Sequence, residues 1–158
     1  MGPLENTEFL KEVFISPLNS RPKKDSEDRR ILLDLSFPKG AGVNAGIDKN
    51  SYLNEPARVR LPNVDTLVDL IKKKGAGCAL FKKDLRRAYR QLPLDPGDIH
   101  RLGYKWDNLT YVDLVCPMGM TSSAYICQRV TNAVRFICQK KGINVTNYLA
   151  DFSSAATW

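Results

Sequence analysis

The sequence predicts an α+β fold, an antiparallel sheet with helices on one face. Three observations carry this. Two segments place apolar residues at helical spacing, and each ends at a glycine, Gly75 and Gly142. Two pairs of strand-like runs flank polar turns, at Lys23–Asp28 and at Asp107-Asn108. The elements come in the order hairpin, helix, strand, hairpin, long helix, strand.

Residues 7–14 carry an amphipathic pattern and predict a short N-terminal helix capped by Asn6 or Thr7. Pro17 and Pro22 then enforce extended chain. Lys23-Lys24-Asp25-Ser26-Glu27-Asp28 is a charged turn before Arg30-Ile-Leu-Leu-Asp-Leu35, so the two sides form a hairpin with a polar tip. Residues 37–58 contain Gly40, Gly42, Gly46 and Pro56 and read as a long loop. Pro62-Asn63 opens a helix whose apolar face is Val64, Leu67, Val68, Leu70 and Ile71. Lys72, Lys73 and Lys74 suit its negative end. Cys78–Phe81 reads as a buried strand running into Asp84, and Pro93 and Pro96 break the next segment. Leu102–Trp106 and Leu109–Val115 form the second hairpin. Thr121–Lys141 is the longest helix, with Ala124, Cys127, Val130, Val134, Ile137 and Cys138 on one face. Val145–Leu149 is a strand that turns near Ala150-Asp151.

The 158 residues suit one domain, and 43% apolar with 26% charged residues is the balance of a folded chain. No apolar run approaches the roughly 18 residues of a membrane-spanning helix. Met1–Asn6 has neither a positive leader nor an apolar stretch, so an intracellular protein without a membrane partner is expected. The net charge of +7 favours a polyanionic partner, because Lys and Arg bound to phosphates release condensed counterions. Cys78, Cys116, Cys127 and Cys138 form no CxxC pair, and one histidine, His100, completes no zinc-finger spacing. The cysteines are expected to be buried, reduced thiols.

Four segments can carry chemistry, and each also has an ordinary reading. Asp84 ends an apolar strand, with Tyr89 five residues on; a carboxylate there can hold a hard cation or simply cap the next helix. Asp151 sits in a turn, where acids are common. Pro117-Met118-Gly119 is a turn entering a helix. The Pro22–Arg30 segment is a basic hairpin tip or merely a solvated charged turn.

Taken together, their order and spacing resemble reverse transcriptases. The matching stretches are Pro22-Lys-Lys-Asp25 to Arg30, Lys83-Asp84-Leu85 to Tyr89-Arg-Gln-Leu-Pro93, Pro117-Met-Gly119, and Tyr148-Leu-Ala-Asp151. Arg86–Pro93 and Ser123–Arg129 look most like retrotransposons of the tyrosine-recombinase (DIRS-like) kind. The resemblance implies a polymerase palm-type sheet with a fingers hairpin over residues 16–158, residues 1–15 being a helical extension and the thumb absent. It implies an enzyme that extends a primer on an RNA or DNA template with deoxynucleoside triphosphates, using two Mg²⁺ or Mn²⁺ ions. Asp84, Asp151 and the carbonyl of Leu85 would bind the metals. Lys23 and Arg30 would grip the triphosphate, Tyr89 would exclude a 2′-hydroxyl, Met118 and Gly119 would line the nucleotide pocket, and Gln128 would face the template. The chain could belong to a longer retroelement polyprotein.

One position departs from the family pattern. Reverse transcriptases carry two aspartates after Tyr-x, and here the first is Ala150. An impaired polymerase is therefore expected, or a non-catalytic nucleic-acid-binding domain derived from one. An RNA-dependent RNA polymerase is disfavoured, since Tyr89 resembles a gate against ribonucleotides.

Overall fold

Pro17 and Pro22 hold φ near about −65° and keep the chain between them extended. It forms β1 (Leu18–Pro22), paired antiparallel with β2 (Arg29–Leu33) from Leu18 opposite Leu33 to Pro22 opposite Arg29. The computed structural model describes residues 13–156, other than 25, 60 and 63. The helix expected over 7–14 therefore lies outside the described residues except for Val13 and Phe14, which are irregular.

The segment expected as a plain long loop has more structure than that. Val43–Gly46 is a 3-10 turn, and two-residue strands β3 (Ser51–Tyr52) and β4 (Glu55–Pro56) flank Leu53-Asn54. Leu53 and Asn54 both have positive φ, 51° and 63°, the backbone of a tight hairpin turn that non-glycine residues seldom enter. Gly42 is required by close approach: a Cβ there would lie 2.7 Å from the Leu35 carbonyl oxygen.

Helix α1 (Val64–Lys74) has Asp65 in its first turn and Lys72, Lys73 and Lys74 in its last, matching the helix dipole. Gly75 ends it at φ +86°, donating its N–H to the Ile71 carbonyl at 3.0 Å. Leu67, Val68, Leu70 and Ile71 are half-buried, whereas Val64 is exposed. A helical side chain leans over the turn before it, and Val64 has none.

Strand β5 (Ala79–Asp84) is expected to be buried, yet Leu80–Asp84 is exposed. The reason is its place in the sheet. The order is β5-β9-β8, so β5 is an edge. Beyond a 3-10 turn at Ala88–Gln91, Asp95 accepts the Gly97 N–H at 2.8 Å and caps another at Pro96–Arg101. The hairpin of β6 (Gly103–Trp106) and β7 (Leu109–Val112) turns at Asp107-Asn108, and Tyr104 stacks on Tyr111 with centroids 5.5 Å apart.

Helix α2 (Ser123–Lys140) departs most from the apolar-stripe expectation. Of the residues predicted to point inward, only Cys127 is buried; Val130, Val134 and Ile137 are exposed. The buried line is Ser123, Cys127, Gln128 and Thr131. These polar groups are tolerated because they are bonded. Ser123 Oγ donates to the Pro117 carbonyl at 2.9 Å, and Thr131 Oγ1 donates to the Cys127 carbonyl at 3.1 Å. Strands β8 (Val145–Tyr148) and β9 (Asp151–Ala156) complete the three-stranded sheet with β5, and α1 packs on β9.

Two units result. The first comprises the chain up to Glu55 with Tyr89–Ser123; the second comprises Pro56–Ala88 and the chain from Ala124 onward. Leu33, Leu35 and Leu102 form the core of the first, covered by Leu18, Val43, Leu94, Tyr104 and Met120. In the second, Cys127, Val145, Phe152 and Ala155 are buried. The mixture of helices with antiparallel sheets is α+β, as predicted. All four cysteines are free: Cys116 and Cys127 are buried as expected, but Cys78 and Cys138 only partly. Burial pushes the Cys116 thiol up from its ordinary pKa. Among the described residues no helix is long and apolar enough to cross a membrane.

Candidate functional site

In the second unit, β5 and β9 run antiparallel with Asp84 directly opposite Asp151. Side chains opposite one another in such a pair share a face, and alternation adds Lys82 and Ser153 to it. Lys82 Nζ lies 2.9 Å from Asp151 Oδ1. The Leu85 N–H donates to the Ala150 carbonyl at 3.0 Å, tying the end of β5 to the turn before β9.

That turn is Leu149-Ala150, with Leu149 at φ +48°. The left-handed conformation costs an ordinary residue about 1–2 kcal/mol. Gln128 holds it in place: its Oε1 accepts the Leu149 N–H at 2.8 Å and its Nε2 donates to Asn132 Oδ1 at 2.7 Å. Asn147, fully buried, donates to Thr131 Oγ1 at 3.0 Å and to Asn132 Oδ1 at 3.1 Å. Gln128, expected to face a template, lies buried against this turn. It is 3% exposed, and both ends of its amide are committed to the turn and its neighbour. The i, i+4 spacing of Gln128 and Asn132 on a helix was the available sequence signal. Gln128→Leu should leave the Leu149 N–H without its partner and lower stability by about 1–3 kcal/mol, read as a fall in the urea midpoint.

The other candidate residues lie in the first unit. Lys23 Nζ is 2.7 Å from Asp28 Oδ2, and that hydrogen bond, with the lysine's charge, holds the Asp28 carboxyl below its usual pKa. Arg30 is exposed and stands opposite Arg21, a basic neighbour that the motif reading missed. Tyr89, half-buried, lies in the 3-10 turn at Ala88–Gln91. Arg90 Nη1 reaches both carboxylate oxygens of Asp113 at 2.6 Å. Met118 and Gly119 are exposed in their turn, where Gly119 sits at φ +94°, a region strained for any other residue. Asn44, also missed, braces this turn. Its Nδ2 donates to the Gly119 carbonyl and its Oδ1 accepts the Thr121 N–H, both at 2.8 Å.

No known family profile matches the chain, and no curated protein does. Solved structures do. The chain is similar to the native protease-reverse transcriptase of prototype foamy virus at TM-score 0.60 and 19% identity, over 96% of this chain and 17% of that one. It is similar to a foamy viral protease-reverse transcriptase in complex with double-stranded DNA at TM-score 0.66 and 17% identity, over 91% and 22%. The form in complex with RNA/DNA hybrid gives TM-score 0.65 and 17% identity, over 91% and 17%. The fold is similar to that of part of a reverse transcriptase. The chain spans about a fifth of the length of these proteins.

The residues expected to bind two divalent ions do not fit that load. Two ions bring four positive charges; Asp84 and Asp151 bring two negative ones, and Asp151 is already paired with an ammonium. Ala150 adds no ligand. Among the described residues no group of three or more His, Cys, Asp or Glu is placed to hold a metal.

Proposed function

We propose that this chain is the fingers-and-palm part of an RNA-directed DNA polymerase from a retroelement of the tyrosine-recombinase kind, impaired in catalysis and retaining affinity for nucleic acid. The observation that carries the reading is Asp84 facing Asp151 across paired strands, beside a turn in which Ala150 stands where the family has an acid. The foamy viral neighbours were solved with duplex DNA and with RNA/DNA hybrid, which supports a template-primer as the partner. In this reading Asp84 and Asp151 are the surviving catalytic carboxylates. Lys23 and Arg30 meet the triphosphate, Tyr89 packs under its sugar, and Met118 and Gly119 line the nucleotide pocket. The second reading, a non-catalytic binding domain, is favoured by Ala150 and by the Lys82–Asp151 ion pair.

Primer extension by the unaltered chain separates the two: measurable Mg²⁺-dependent incorporation would support the enzyme and exclude the binding-only reading. Both readings require sequence-independent binding that weakens with salt, the logarithmic slope changing by about 0.7–0.9 per phosphate contact. Asp28→Asn removes the carboxylate that holds Lys23. The freed lysine should add up to one contact, tightening binding at low salt and steepening the slope by about that amount. Binding that is absent at low salt, or indifferent to salt, would sink both readings.

A further inference from the structure

We infer that Lys82 is a built-in counter-cation for the Asp84–Asp151 pair, so that a divalent ion must displace its ammonium in order to bind. The inference rests on reading those two acids as the remnant of a metal-binding pair. Its basis is the disagreement between the family's two ions and the residues present.

The register fixes the arrangement. Asp84 is opposite Asp151 and Lys82 is opposite Ser153, so the lysine reaches Asp151 along the diagonal of one sheet face. Lys83, opposite Phe152, alternates to the other face. The ammonium is held at 2.9 Å from a carboxylate oxygen, a charge-assisted contact. With it in place the face carries one net negative charge instead of two. A carboxylate at position 150 would add one more, and Ala150 supplies none. A hard cation gains from every added oxygen ligand and loses from every cation that stays nearby. The pair is also open to exchange: the Lys82 side chain is 66% exposed and that of Asp151 38%. Lys82 can therefore swing into solvent, and the competition is one of affinity rather than of steric blockade.

The test is a Mn²⁺ titration of the whole chain, without nucleic acid or nucleotide, following free Mn²⁺ by electron paramagnetic resonance. Lys82→Met should tighten Mn²⁺ binding by about three- to fivefold at low ionic strength, the worth of an exposed ion pair that the metal no longer has to break. Lys82→Arg should behave as the unaltered chain, and Lys83→Met should shift binding by less than about twofold. The gain in Lys82→Met should shrink in high salt. Unchanged affinity in Lys82→Met would overturn the inference, as would an equal gain in Lys83→Met, which would mean a bulk charge effect. Absence of Mn²⁺ binding in every variant would overturn it too, since the lysine would then not be what opposes the metal. The proposed function fails separately: loss of salt-sensitive nucleic-acid binding would remove it and leave the titration standing.

Discussion

In a chimaera carrying the thumb of a related reverse transcriptase, Ala150→Asp is expected to raise primer extension by about 10²–10³-fold over the same chimaera with Ala150, the usual cost of losing one transition-state stabiliser. The backbone can take the change. Ala150 is not among the positive-φ residues, and aspartate is at home in turns. Its carbonyl already receives the Leu85 N–H, so a carboxylate at 150 would enter a turn anchored to the end of β5 beside Asp84. Three acids on adjoining positions would also outweigh Lys82, so Mn²⁺ should bind Ala150→Asp more tightly than the unaltered chain. Equal activity with and without the aspartate would mean that another acid supplies the ligand, or that Ala150 does not occupy the family's acidic position. Inactivity of both chimaeras would leave the binding-only domain ahead.

The parts of the fold that were legible in the sequence are those governed by local chemistry. Gly75 ended a helix because the chain turns to φ +86° there, and Asp107-Asn108 marked a hairpin because both residues take left-handed φ readily. What misled was burial, which depends on the partner surface. β5 looks apolar at Cys78–Phe81 but is an edge strand. Along α2 the apolar residues Val130, Val134 and Ile137 suggested the inward face, yet the polar line through Gln128 and Thr131 is the buried one. Hydrophobic periodicity cannot reveal such a line, because its burial is compensated by hydrogen bonds to Asn147 and Leu149, residues far along the chain.

The candidate site divides in the same way. Motif spacing pointed to Asp84 and Asp151, and the strand register sets them opposite one another. It said nothing of Lys82, whose significance comes only from the diagonal contact to Asp151. Nor did it mark Asn44, which holds the Gly119 turn from a loop whose own sequence reads as unstructured.

Arg90 lay inside the motif that carried the resemblance, and its partner Asp113 was invisible in sequence. Arg90→Met is expected to destabilise the first unit by about 3–5 kcal/mol, the cost of stripping a buried charge of its partner. The Asp113 side chain is 8% exposed and both its oxygens lie 2.6 Å from Arg90 Nη1. Arg90 is itself one-third exposed, so the lower end of that range applies if water reaches Asp113 in its absence. Urea unfolding measures the loss. If the charge left behind is the cause, Arg90→Met combined with Asp113→Leu should recover much of the stability; if lost packing is the cause, the double variant should be no better. Tyr104 offers a second readout. Burial is the main reason its hydroxyl ionises above the usual value, and the negative charge of Asp113 adds to this while Arg90 opposes it. With Arg90 gone, the opposing charge is removed, so the Tyr104 titration should move further up, seen as tyrosinate absorbance assigned by comparison with Tyr104→Phe. A downward move, or none, would mean that the Arg90 charge does not act on the Tyr104 hydroxyl.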